Sequence, residues 1–133
     1  MKSLKGKPVL LTGATGFIGK RLAARLLELG AQVHAIVRAE SQEKLPAKLR
    51  PLVGDLTDPR SVAQSVWNTK PELVFHLAKP RGASIEVEFA ISLTLAASLR
   101  ATAPKARLVR TAHAVRWPPR KRASTQTSTS ACD

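Results

Sequence analysis

The sequence predicts an α/β domain built on a doubly wound parallel sheet of about five strands. Three observations carry that expectation. Short apolar runs alternate with longer amphipathic stretches across residues 1–109. Most of the runs are apolar throughout, the pattern of strands covered on both faces. A glycine-rich turn joins the first run to the first amphipathic stretch. Strand–helix alternation of this kind favours parallel pairing with helices above and below the sheet.

Each element has a local reason. Pro8–Thr12 is a short apolar run closed by glycine and reads as the first strand. Phe17–Leu29 reads as a helix, with Ile18, Leu22, Leu26 and Leu29 spaced four, four and three apart on one apolar stripe. Gly30 follows at the position where a left-handed cap is favoured. Gln32–Val37 is a second strand, ending at Arg38. Ala39–Lys48 is too weakly periodic to carry a helix. Leu49–Val53 is a third strand, ending at Gly54-Asp55. Pro59–Asn68 reads as a helix, capped by Asp58 and opened by Pro59 at its first position. Glu72–Leu77 is a fourth strand. Glu86–Thr102 is a helix with Val87, Ile91, Leu95 and Leu99 on one stripe, and Ala106–Val109 is a fifth strand. Right-handed crossovers then give the strand order 3-2-1-4-5, with the fifth strand at an exposed edge.

Composition narrows the partners. The 133 residues suit one domain, and 44% hydrophobic with 23% charged residues is ordinary for a globular chain. No apolar run approaches the roughly 18 residues of a membrane span, so no membrane is expected. Met1–Pro8 has charge but no apolar stretch, which argues against a cleaved secretory leader. Cys132 is the single cysteine, which excludes an internal disulfide framework and suits a reducing, cytoplasmic setting. The net charge of +13 is unusual, and Arg110–Asp133 holds only five of the 22 basic residues and one of the nine acids. The basic bias therefore extends over the packed part, and it is compatible with an anionic ligand or a nucleic acid. Residues 116–133 contain one large apolar side chain, Trp117, followed by Pro-Pro, Arg120-Lys121-Arg122 and a Ser/Thr-rich run. Such a segment cannot bury enough surface to offset its ordering entropy, so a disordered tail is expected after a domain at 1–115.

The motif with chemical content is Thr12-Gly13-Ala14-Thr15-Gly16-Phe17-Ile18-Gly19, set between the first strand and the first helix. The glycines differ in what they permit sterically. Gly13 allows the turn off the strand, Gly16 the approach of backbone to a pyrophosphate, and Gly19 close helix–strand packing. The N–H groups at the helix start face an anion, and the helix dipole favours it. A basic residue at the end of the second strand accommodates a 2′-phosphate, whereas an acid there binds the ribose hydroxyls. Arg38 therefore favours NADP, with NAD as the alternative if Glu40 takes the ribose. His76, in an apolar strand, reads as a core residue, and the histidines show no metal-site spacing.

Val9-Leu10-Leu11-Thr12-Gly13-Ala14-Thr15-Gly16-Phe17-Ile18-Gly19 resembles the opening of the extended short-chain dehydrogenase/reductase family, the NAD-dependent epimerase/dehydratases. Val53-Gly54-Asp55-Leu56-Thr57-Asp58 resembles the end of that family's third strand, and Pro71–Ala78 its fourth strand. The resemblance covers about residues 7–109. It implies a Rossmann-type fold, a nicotinamide cofactor, and a nucleotide sugar or related alcohol or ketone as substrate. It implies that Asp55 contacts adenine and that Leu77-Ala78 lies by the ribose. The cofactor-binding residues it and the loop point to are Gly13, Thr15, Gly16, Phe17, Ile18, Gly19, Arg38, Asp55, Leu56, Leu77 and Ala78. The family often has a further Ala where this chain has Lys79, which sets a long cation beside the cofactor site.

The resemblance stops short of catalysis. The family's acid/base is the tyrosine of a Tyr-x-x-x-Lys pair, and this chain has no tyrosine. Thr111 opens the turn after the fifth strand, and His113 falls near the expected catalytic hydroxyl. No catalytic residue is assigned. The expectation is a truncated, cofactor-binding fragment without turnover. A non-catalytic NADP sensor and a nucleic-acid-binding module using Arg120-Lys121-Arg122 are the alternatives. The nucleic-acid reading is disfavoured, because only Trp117 could stack on a base. Oligomeric state stays open.

Overall fold

The computed structural model describes residues 3–79 and 82–111. Five strands form one parallel sheet: β1 (Pro8–Thr12), β2 (Gln32–Val37), β3 (Arg50–Val53), β4 (Leu73–His76) and β5 (Arg107–Arg110). Their order is β3-β2-β1-β4-β5, as expected from the crossover rule. Three α-helices connect them: α1 (Phe17–Glu28), α2 (Pro59–Thr69) and α3 (Ile85–Thr102). The β2–β3 connection, expected to lack a helix, contains a 3₁₀ helix over Ala39–Lys44.

The two faces of the sheet have separate cores, because successive strand residues point to opposite sides. Val9 and Leu11 of β1, with Val33, Ala35 and Val37 of β2, pack under α1 through Ala23 and Leu26. Leu10, Ile36 and Val74 pack on the other face against Val62 and Val66 of α2 and Leu95 and Leu99 of α3. The chain thus winds outward from β1 to β3 on one face and returns through α2 and α3 on the other. That reversal places a crevice at the C-terminal ends of β1 and β4.

The helix ends follow the expected chemistry. The Asp58 carboxylate accepts the Arg60 N–H at 3.0 Å, and Pro59 stands at the first helical position of α2. Gly30 adopts φ +82° and closes α1, with its N–H donating to the Leu27 carbonyl at 3.0 Å.

One expectation for α1 is corrected. Ile18 and Leu29 are exposed, and the buried residues of the helix are Gly19, Ala23 and Leu26. The contact face is rotated from the apolar stripe because the helix lies close enough to the β1 end that only small residues fit there. Apolar spacing registers large side chains and misses a glycine that marks close approach. Val87 of α3 is likewise exposed, while Ile91, Leu95 and Leu99 are buried as expected. The expected tail at 116–133, and with it Trp117, Cys132 and Arg120-Lys121-Arg122, lies outside the described residues.

Candidate functional site

The C-terminal ends of β1, β2, β3 and β4 surround a cleft of about 490 Å³, inside the roughly 300–1,000 Å³ range of small-molecule sites. Its floor is the glycine loop, Gly13–Gly16. One wall is Ile36–Arg38 with Ser41 and Gly54–Thr57, and the other is Leu77–Lys79. Gly13, Thr15, Gly16, Arg38, Asp55, Leu56, Leu77 and Ala78 of the expected set are therefore brought together. Phe17, Ile18 and Gly19 do not line it. The Phe17 ring is exposed and stacks under the Arg21 guanidinium, 4.2 Å from the ring centroid. Phe17, Ile18 and Gly19 instead open α1, where the first N–H groups have no intrahelical partner.

The three loop glycines have different reasons. Gly13 has φ +79°, and a Cβ there would stand 2.7 Å from the Ala78 nitrogen. At Gly19 a Cβ would overlap the Gly13 carbonyl. The close packing expected for Gly19 is thus against the loop at the end of β1. Both positions are glycine because the fold demands it. Gly16 is different: its φ is −76°, and a Cβ would meet only the Gly13 oxygen at 3.4 Å, ordinary contact. The fold leaves room for a Cβ at position 16.

Behind the loop, a buried hydrogen-bond chain ties β1 to β4. The Thr12 hydroxyl accepts from the Ala78 N–H at 3.1 Å and lies 2.6 Å from His76 Nδ1. Burial, aided by the positive charge of Arg110, holds the His76 pKa below its ordinary value. His76 is a neutral structural residue, as its apolar strand suggests. His34 is likewise held down by burial and by Arg50.

At the other end of the cleft, Asp55 is exposed and ionised. Its Oδ1 accepts from the Thr57 hydroxyl at 2.7 Å and the Thr57 N–H at 2.9 Å, and these bonds lower its pKa, with a smaller contribution from Arg38. The Asp55 N–H donates to Ser61 Oγ at 2.9 Å, close to Gly54, where any side chain would collide with that hydroxyl.

The cleft also contains residues that sequence reasoning missed. Ser41 arrives on the unexpected 3₁₀ helix, its N–H bonded to the Arg38 carbonyl at 2.9 Å. Thr57 closes an Asx turn on Asp55, a local pattern readable from Asp-x-Thr. Ala14, Ile36, Val37 and Gly54 follow from strand ends and had no signal of their own. Glu40, the alternative ribose partner, is not among the lining residues. Among the described residues no group of His, Cys, Asp or Glu could hold a metal ion, and no helix is long and apolar enough to cross a membrane. Thr111 is the last described residue, so His113 falls outside.

Comparison with known proteins gives a consistent result. The chain is 39% identical over 70 residues to a 3-beta-hydroxysteroid dehydrogenase of Mycolicibacterium neoaurum, covering 53% of this chain and 19% of that protein. It is 32% identical over 103 residues to a GDP-mannose 4,6 dehydratase of Cricetulus griseus, covering 65% and 28%. Among solved structures, the UDP-glucose 4-epimerase of Thermus thermophilus, in complex with NAD, superposes with a TM-score of 0.63 at 26% identity. That match covers 71% of this chain and 34% of the epimerase. The chain thus spans under a third of the length of these two curated relatives. A family description, the NAD dependent epimerase/dehydratase family, matches residues 9–129, which extends past residue 109 where the motif resemblance ends. With that match spanning most of its length, the chain belongs to the NAD dependent epimerase/dehydratase family.

Proposed function

We propose that the chain binds a nicotinamide dinucleotide in the cleft at the ends of β1–β4, with NADP preferred, and does not by itself turn over a substrate. The observation that carries this reading is Gly16. The fold leaves room for a Cβ there, so the open space over it suits a ligand whose phosphates approach the backbone. The free N–H groups of Phe17, Ile18 and Gly19 at the start of α1 would donate to those phosphates. Leu56, Leu77 and Ala78 would pack on the nucleosides, and Asp55 would accept from the adenine.

Arg38 would pair with a 2′-phosphate, because a guanidinium matches a phosphate bidentately. NAD is the second reading, and the NAD-bound Thermus epimerase favours it. When bound, the cofactor would supply hydride transfer to or from an alcohol carbon. Similarity to relatives named as dehydratases and dehydrogenases supports nucleotide sugars or related alcohols and ketones as the substrate class of the whole protein. The hydroxyl proton needs a partner within hydrogen-bond reach, and this chain offers no tyrosine for it.

Titration of the purified chain with NADPH and NADH tests the reading. Arg38→Asp should shift the NADPH-to-NADH affinity ratio by about tenfold or more towards NADH, the size of a lost charge-assisted pair. An unchanged ratio would reduce Arg38 to a solvated strand end. Incubation with NADPH and a panel of ketones and nucleotide sugars should leave the reduced-nicotinamide absorbance unchanged. A protein-dependent loss would contradict the absence of turnover.

A further inference from the structure

We infer that Lys79 is the second anion-binding residue of the cleft, reaching the diphosphate bridge of the ligand while Arg38 serves the ribose end. The inference rests on the dinucleotide reading above and deepens it. Among the described residues, Arg38 and Lys79 are the two cations that line the cleft, and they stand on opposite walls. Arg38 follows β2 and Lys79 follows β4, with β1 between them. Two strand spacings separate those walls, about 10 Å, so the two cations approach a ligand in the cleft from opposite sides.

The glycine loop runs between them. Residues 13–19 carry no charged side chain, so the floor offers a diphosphate only N–H groups and a helix dipole. Its two negative charges lack a full countercharge from the loop. Lys79 is close by, because the Ala78 nitrogen abuts Gly13. Its ammonium lies 4.0 Å from Glu88 Oε1 on α3, with the lysine side chain 55% exposed and the glutamate 22%. An exposed ion pair of that length is weak, so a phosphate in the cleft competes with Glu88 for the ammonium. Glu88 then acts as a positioning residue, holding Lys79 at the β4 wall and opposing its transfer to the ligand.

The two residues therefore predict effects of opposite sign. The whole chain is titrated calorimetrically with NADPH, with adenosine 5′-diphosphoribose, and with adenosine 2′-monophosphate, which lacks the diphosphate. Lys79→Ala should weaken the first two about tenfold and leave the third unchanged. Lys79→Arg should retain binding within about threefold, and Glu88→Gln should strengthen the first two by about threefold. If wild type binds adenosine diphosphoribose and Lys79→Ala binds it equally well, the role of Lys79 is overturned while the dinucleotide reading stands. An equal loss with all three probes also overturns it, since that marks a structural effect. If wild type binds neither diphosphate ligand, the dinucleotide reading fails and this inference fails with it.

Discussion

The centre and the outer edge of the sheet both carry adjacent branched apolar residues and end in different environments. β1 reads Pro-Val-Leu-Leu-Thr, and Val9, Leu10, Leu11 and Thr12 are fully buried. β5 reads Arg-Leu-Val-Arg, and all four residues are exposed. α3 beside it is apolar on two sides: Ile91, Leu95 and Leu99 face the core, while Ile85, Phe89 and Leu93 are exposed. Apolar runs therefore predict strands well, but burial is decided by what covers them. β1 lies between β2 and β4 with α1 on one face and α2 and α3 on the other. β5 has a strand neighbour on one side only among the described residues. The cleft opens at the C-terminal ends of β1–β4, beside the well-covered part.

The largest effect that sharpens this comparison comes from trimming each strand. Leu10→Ala should cost about 2–5 kcal/mol, the range for a fully enclosed leucine. Leu108→Ala on β5 should change stability by only about 0.5 kcal/mol, as expected for an exposed site. Urea unfolding of both variants measures the difference. Similar losses at the two sites would show β5 to be as enclosed as β1.

A smaller effect probes the link between the two regions. His76 pairs in register with Thr12 of β1 on one side and Arg110 of β5 on the other. Its folded pKa is depressed, so the unfolded chain binds its proton more readily. The native state is then fully favoured above the ordinary histidine value of 6.5 and loses stability as pH falls through it and on through the lower folded pKa. His34 contributes with the same sign. The melting temperature should therefore drop between pH 7 and pH 5. His76→Gln should flatten that slope while His34 keeps part of it. Identical slopes would remove His76 from the account.

Much of this architecture was legible in the residues. Continuous apolar runs located the five strands within a residue or two, and Asp58, Pro59 and Gly30 marked helix ends correctly. The glycine loop located the cleft because its spacing encodes backbone geometry. What stayed hidden depends on tertiary approach. The contact face of α1 could not be read from Ile18 and Leu29, since Gly19 and Ala23 carry it. Ser41 sits in a stretch without periodicity, and only the 3₁₀ turn after Arg38 delivers it to the cleft. The exposure of Val87 and of β5 reflects the lack of a covering layer among the described residues, which no local pattern encodes.

The central claim is that the glycine loop is shaped partly for the fold and partly for a dinucleotide, with Gly16 on the ligand's side. Gly16→Val and Gly19→Ala separate the two roles. Gly19→Ala should lose about 1–3 kcal/mol or more of stability, because its Cβ overlaps the Gly13 backbone. Gly16→Val should keep a melting curve close to wild type. The decisive measurement is fluorescence titration of wild type and Gly16→Val with NADPH. The account predicts saturable binding to wild type and a loss of at least about tenfold in the folded variant, as a side chain collides with the pyrophosphate. Equal affinities for the two proteins, or no binding by wild type, would contradict it.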